Sequence, residues 1–208
     1  MVWYHCKIYT VFLPYLVDYM QNNKNPIVFL MWVSGAWKTT VMTELLKLDH
    51  LEYIPSYTTR AMRAWEKQWQ KYRHISQEVF EDAIKNDEFL EYAFVHNTAY
   101  YWTKKQPLYD AQEAGKTPIK EMDLLWLQKL AEQKKITPDM VTIFLDLDDV
   151  FMTTRILWRQ SDISADELQQ RLISANHERE LAQKLCTHII DAQQPLVDVV
   201  AHVQKHIQ

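Results

Sequence analysis

The chain alternates short apolar runs with stretches whose apolar residues recur at helical spacing. Ile27–Met31 is continuously apolar and predicts a strand buried within a parallel sheet. Val41, Leu45, Leu46 and Leu48 then follow at the spacing of one helical face. Leu51–Ser56, Phe89–Val95, Thr117–Asp123, Met140–Asp146 and Cys186–Ile190 read as further strands, and Ala99–Thr103 as a turn or short strand. A helix is expected over Gln77–Asn86, capped by Ser76 and with Glu78 and Glu81 near its positive end. Others are expected over Pro107–Ala114, closed by Gly115, and over Leu124–Gln133 and Asp149–Arg159. Ser164 with Glu167 forms a capping box opening a long polar helix through Arg171 and Glu180 to Lys184, and Pro195 opens a last helix. Strands alternating with helices predict an α/β domain whose parallel sheet is covered on both faces.

The connector after the first strand carries candidate chemistry. Trp32-Val33-Ser34-Gly35-Ala36-Trp37 leads directly into Lys38-Thr39-Thr40 and the helix. Strand, short loop, Lys-Thr, helix is the layout of a phosphate-binding loop, G-x-x-x-x-G-K-S/T, with both glycine places taken by tryptophan. Such a loop aims backbone N–H groups and a helix N-terminus at phosphate oxygens while the lysine neutralises charge. A bland alternative is a strand, a turn and a helix with a stray lysine. Against it, Lys38 falls in the first helical turn, where a cation is disfavoured unless an anion is present.

Composition narrows the class. The 208 residues suit one domain, and a net charge of −4 gives no case for a general nucleic-acid binder. Residues 1–25 read as an N-terminal extension packing on the domain or on a partner. Its apolar stretch, Ile8–Val17, is too short to span a bilayer, and no cleavage site follows. Cys6 and Cys186 form no metal or disulfide pattern, which points to a reducing compartment. His5, His50, His74, His96 and His188 show no ligand spacing. Glycine and tryptophan are inverted: there are 2 Gly and 8 Trp, where glycine averages roughly 7% of residues.

With these elements placed, the chain resembles the guanylate kinases, nucleoside monophosphate kinases of the phosphate-loop class, over about residues 27–206. The family's loop, GPSGxGK followed by two small or hydroxyl residues, is written here as Trp32 to Thr40. Its signature S-x-T-T-R-x-x-R-P-G-E-x-x-G-x-x-Y runs from Ser56 through Thr58, Thr59, Arg60, Arg63, Trp65, Glu66 and Trp69 to Tyr72. Glu88-Phe89-Leu90-Glu91, Tyr100-Tyr101-Trp102-Thr103 and Arg155-Ile156-Leu157-Trp158-Arg159 match three later segments. Trp32, Trp37, Trp65, Trp69, Trp102, Trp126 and Trp158 fall where the family has glycine.

The resemblance implies a P-loop three-layer α/β fold over residues 26–208, with a small GMP-binding subdomain near 57–103 and a helical lid near 157–175. It implies phosphoryl transfer from ATP to GMP in the cytoplasm, with Mg2+ accompanying ATP and with no nucleic-acid or membrane partner. Ser34, Gly35, Ala36, Trp37, Lys38, Thr39 and Thr40 would bind ATP. Ser56, Arg60, Arg63, Tyr72 and Tyr101 would hold the GMP phosphate, as guanidinium forks and hydroxyls suit a dianion. Glu91 and Thr103 would read the guanine edge, with Asp123 beside them. Thr39, Glu121 and Asp123 would serve the metal, and Lys38, Arg155, Arg159 and Arg171 the transferring phosphoryl. The alternative is an inactive guanylate-kinase-like domain that binds a protein partner through its surplus aromatics. The tryptophans carry two further expectations. If each site needs positive φ, each costs roughly 1–2 kcal/mol. The Trp37 indole must fill the phosphate site or swing outward and drag the loop open, weakening ATP binding severely.

Overall fold

The computed structural model describes residues 25–64, 66, 71–95 and 98–207. The expected extension therefore lies outside the described residues except for Asn25, and so do Trp65 and Trp69. Asn25 is tied down: its side-chain amide donates to the Gly115 carbonyl at 2.8 Å, and its own carbonyl accepts from Gln112 at 2.5 Å.

Two sheets organise the described chain. The first is parallel throughout and holds β1 (Ile27–Trp32), β2 (Leu51–Tyr53), β7 (Thr117–Glu121), β8 (Met140–Asp146) and β9 (His188–Asp191). Their order is β2-β7-β1-β8-β9, so β1 is central, and Ile27 to Met31 are buried as a fully covered strand requires. Helices flank it: α1 (Lys38–Leu45), α3 (Gln106–Glu113), α4 (Leu124–Glu132), α5 (Asp149–Arg159), α6 (Ala165–Leu185) and α7 (Leu196–Lys205). The expected α/β class and flanked parallel sheet are borne out.

The second sheet has the order β4-β3-β6-β5 and holds β3 (Ser56–Thr58), β4 (Tyr72–His74), β5 (Phe89–Val95) and β6 (Ala99–Lys104), with α2 (Gln77–Lys85) packed on it. It is mixed, β3 pairing parallel with β4 and antiparallel with β6. Its own core is aromatic: Phe80 of α2 stacks on Tyr100 at 4.3 Å and lies 4.7 Å from Trp102. The single strand expected over Leu51–Ser56 is thus two strands in two sheets. The ladder of β2 continues through the Ile54 N–H to the Ile119 carbonyl, and then Pro55, having no N–H, ends it.

Local signals otherwise act as their chemistry dictates. Ser76 and Ser164 accept from the backbone N–H three residues on and cap α2 and α6. Gly115 closes α3 at φ 73. Asp123 is not a strand residue: its side chain caps α4 by accepting from the Leu125 N–H at 2.8 Å. The condition on which the tryptophan cost depends, positive φ, is met at one described tryptophan. Of the described ones only Trp37 has it, because Trp32 and Trp102 lie in extended strands and Trp126 and Trp158 in helices.

Candidate nucleotide cleft

A cleft of 670 Å3 opens between the two sheets. From the first it is lined by Trp32, Ser34, Lys38, Glu121 and Asp123, at the C-terminal ends of β1 and β7, where ligands of parallel sheets gather. From the second it is lined by Ser56, Arg63, Tyr72 and Tyr101. The fold therefore brings together residues far apart in the chain that phosphate chemistry needs.

On the first side, α1 begins at Lys38, and its first N–H groups have no helical acceptor, which leaves them as anion donors. Thr39 and Thr40 are exposed in that turn. Trp37 stands at the helix cap in the left-handed region, φ 53 and ψ 31. Its indole has swung outward and lies under the Arg155 guanidinium, 4.3 Å from the ring centre. Lys38 is held by the other substitution, its ammonium 4.3 Å over the Trp32 ring and 3.7 Å from Glu121 Oε2. Burial lowers the Lys38 pKa and the nearby Lys71 adds to this, against the pull of Glu121.

Lys71 was not foreseen. Its ammonium sits 2.9 Å from the same Glu121 oxygen, so one carboxylate joins the two sides of the cleft. Burial acts to lower the Lys71 pKa, but the hydrogen bond and charge of Glu121 outweigh it and the net shift is upward. Ser174, His177, Glu178 and Leu181 also line the cleft. Their spacing along α6 marks one helical face, a signal legible in the sequence once the helix is placed. Burial, with the Asp123 charge next, pushes the Glu178 carboxyl up to about 7 against the opposing Arg179.

On the second side the residues expected to hold a phosphate are pre-paired. Arg60 donates from Nε to the Tyr101 hydroxyl at 3.0 Å and from Nη2 to Glu66 at 2.7 and 3.0 Å. The Arg60 hydrogen bond, seconded by the Arg63 backbone N–H, holds the Glu66 carboxyl down at about 2. Tyr72 packs edge-on against Tyr101 at 5.7 Å, and burial raises its phenol.

Glu91 and Thr103 lie elsewhere. Both are buried, and Thr103 donates to Glu91 Oε1 at 2.5 Å. Glu91 Oε2 is buried with no hydrogen-bond partner. Glu91 lines a separate cavity of 350 Å3 with Tyr92, Trp126, Lys129, Gln133 and Lys135. Trp126 lines this cavity and the cleft alike. Burial pushes Glu91 up to about 7, against Thr103 and Lys120.

The three arginines expected over the transferring phosphoryl do not line the cleft. Arg155 donates to the Gly35 carbonyl at 3.3 Å and to the Ala192 carbonyl at 3.2 Å. Arg159 ends α5, and Arg171 pairs with Glu167 at 2.6 Å on α6. Among the described residues no group of three His, Cys, Asp or Glu side chains could hold a metal by itself, and no helix is long and apolar enough to cross a membrane. Thr39 and Glu121 still offer the hard oxygen donors that suit a cation arriving with phosphates, which needs few protein ligands.

Comparison with known proteins agrees with this geometry. The guanylate kinase family model matches residues 23–208. A guanylate kinase of Helicobacter pylori is 32% identical over 172 residues, covering 82% of this chain and 81% of that one. A guanylate kinase of Neisseria gonorrhoeae is 34% identical over 160 residues, 76% and 75% of the two chains. Among solved structures, the guanylate kinase of Anaplasma phagocytophilum superposes with a TM-score of 0.62 at 21% identity, covering 88% of this chain and 84% of that one. A match across nearly the whole described chain, joined to a cleft that sets Lys38 opposite Arg63, Tyr72 and Tyr101, establishes that the chain belongs to the guanylate kinase family.

Proposed function

We propose that the cleft transfers the terminal phosphoryl group of ATP to GMP, giving ADP and GDP. The observation that carries this reading is the opposition, across one cleft, of Ser34 and Lys38 to Ser56, Arg63, Tyr72 and Tyr101. An oxygen of the GMP phosphate forms the new bond to the γ-phosphorus while the bond to the β–γ bridging oxygen breaks and ADP leaves. The attacking phosphate is largely dianionic at neutral pH, so no protein base is needed, and positioning with charge stabilisation does the work.

Each residue then has a task. Backbone N–H groups from Ser34 to Thr40 and the Lys38 ammonium hold the ATP phosphates. Arg60, released from Glu66, joins Arg63, Ser56, Tyr72 and Tyr101 on the GMP phosphate. Glu91 and Thr103 read the guanine edge once Trp126 gives way, with Asp123 at the rim. Thr39 and Glu121, with Asp123 behind them, would hold Mg2+, which neutralises charge on the ATP phosphates when bound. Arg155, Arg159 and Arg171 act when the segment near 157–175 closes as a lid over the cleft. The cytoplasm, with its ATP and GMP, is the fitting compartment. The open, charged cleft suits nucleotides better than the protein-docking alternative, which no observation favours.

A coupled assay with ATP and GMP tests the reading, run on this chain and on a chain with glycine at the seven tryptophan sites. GDP formation by the glycine chain is expected, with GMP preferred over AMP. In that background Glu91→Gln should narrow the preference, measured as the ratio of kcat/KM values. Failure of both chains to form GDP would overturn the assignment.

A further inference from the structure

Lys120 lies in β7, in register with Phe29 of β1, and is only 1% exposed. A lysine buried in a sheet core is costly unless its ammonium has partners. Its Nζ donates to the Ser56 hydroxyl oxygen at 2.7 Å. An ammonium has only donors, so Ser56 Oγ is the acceptor, and the single hydroxyl proton must point away from Lys120. Ser56 lines the cleft, so that proton is available to a ligand oxygen there. The charged groups acting on Lys120 are Glu91, Glu121 and Lys71, and burial brings its pKa down to about 8.

We propose that Lys120 is a positioning residue that fixes Ser56 as a hydrogen-bond donor to the phosphate of the acceptor nucleotide. It never touches the ligand. This rests on the acceptor reading above. Calorimetric titrations of GMP and of guanosine, which lacks the phosphate, separate the two ideas. Lys120→Met should weaken GMP about tenfold, the worth of a charge-assisted hydrogen bond, and leave guanosine unchanged. Ser56→Ala should do the same, and the double variant should be no weaker than either single one. Lys120→Gln, which keeps a donor toward Ser56, should retain part of the affinity and guards against a misfolded methionine variant. Unchanged GMP affinity, equal loss of guanosine, or additive losses would overturn the role of Lys120. Absence of GMP binding in the unsubstituted and glycine chains alike would overturn the acceptor reading, and this proposal with it.

An independent set of observations concerns the tryptophans. A chain of 208 residues with 2 glycines places tryptophan at both glycine positions of its phosphate loop. Trp37 holds a left-handed conformation at φ 53, which suits glycine and not a bulky side chain. Trp102 buries an indole N–H with no partner among the described residues, Trp126 lines both the cleft and the Glu91 cavity, and Trp158 is 87% exposed. Trp102 alone is packed in an aromatic core, and the other three have no environment that calls for tryptophan. We infer that glycine occupies the seven positions in the protein as its source organism makes it, one codon being read there as glycine. Peptide mass spectrometry of protein purified from that organism, with the gene sequenced alongside, decides this. Glycine in the peptides spanning these positions and one shared codon at all seven are expected. Tryptophan in those peptides, or unrelated codons, would overturn it.

Discussion

The phosphate loop and the second sheet carry the same replacement and respond in opposite ways. In the loop, Trp37 is forced into a backbone region where a side chain costs roughly 1–2 kcal/mol, and its indole lies under the Arg155 guanidinium. In the second sheet, Trp102 takes an ordinary strand conformation and is fully buried among Tyr57, Phe80 and Phe89. The backbone at each position, and the room beside it, decide what a tryptophan does. Strand residues tolerate a large side chain facing a core. A loop that must curl around phosphate oxygens does not.

The largest expected effect tests the loop. Mg·ATP titrated into this chain should show no ordinary micromolar binding, since Trp37 occupies Arg155 and Trp32 holds Lys38 against Glu121. Restoring glycine at both positions should strengthen binding by ~100-fold, equivalent to about 3 kcal/mol, while Trp37→Gly alone leaves Lys38 over Trp32 and recovers little. Micromolar binding by the unsubstituted chain would erase the contrast between the two regions.

The next effect falls on the acceptor side. Trp126→Gly removes the side chain that lines both the cleft and the Glu91 cavity, so GMP affinity should rise about tenfold with ATP affinity unchanged. Equal calorimetric gains for both nucleotides would mean that Trp126 acts on the whole fold and not on base access.

Stability sharpens the comparison further. Trp37→Gly should stabilise the fold by about 1 kcal/mol by relieving its positive φ. Trp158→Gly, in helix α5 and mostly exposed, should destabilise it by about 0.5–1 kcal/mol. Urea unfolding midpoints of the two variants should therefore move in opposite directions, and shifts of one sign would refute the backbone explanation.

The smallest effect is one of pH. The folded-state pKa of Glu178 lies above its unfolded value, so its contribution is fully present below the usual glutamate range and lost as pH rises through about 7. Glu178→Gln should then raise Tm at pH 8 by about 2 °C, the effect being small because solvent screens this half-exposed group, and should match the unsubstituted chain at pH 4. A Tm gain independent of pH would assign the effect to packing.

Much of the parallel sheet and of the loop was legible in the sequence, because apolar runs and the Lys-Thr pair record local requirements. Ser76, Ser164 and Gly115 announced helix ends by their own hydrogen-bonding and backbone chemistry. What stayed hidden was relational. The run Leu51–Ser56 read as one strand, although the chain crosses at Pro55 from one sheet to the other. Glu91 fitted its motif, yet no pattern disclosed that it would line a cavity separate from the cleft, with Trp126 of α4 lining both. Lys71 and Lys120 looked like ordinary polar positions, since their partners Glu121 and Ser56 are distant in the chain.

The long helix α6 has a mechanical consequence. Its C-terminal half is embedded through Leu181 and Ala182, and Arg179 bolts it to Asp146 and Asp149 at 2.9 and 2.7 Å. Its N-terminal half, from Ala165 to Ser174, is mostly exposed, with Leu168 and Leu172 resting on the core. The helix is therefore a cantilever with its root at Arg179 and its lightly held end at the segment we assign to the lid. At 1.5 Å rise per residue the arm from Arg179 to Ala165 is about 21 Å long, and a tilt of about 10° at the root carries the tip about 4 Å. The ion pairs at the root thus set the stiffness of a beam whose deflection is greatest at Ala165.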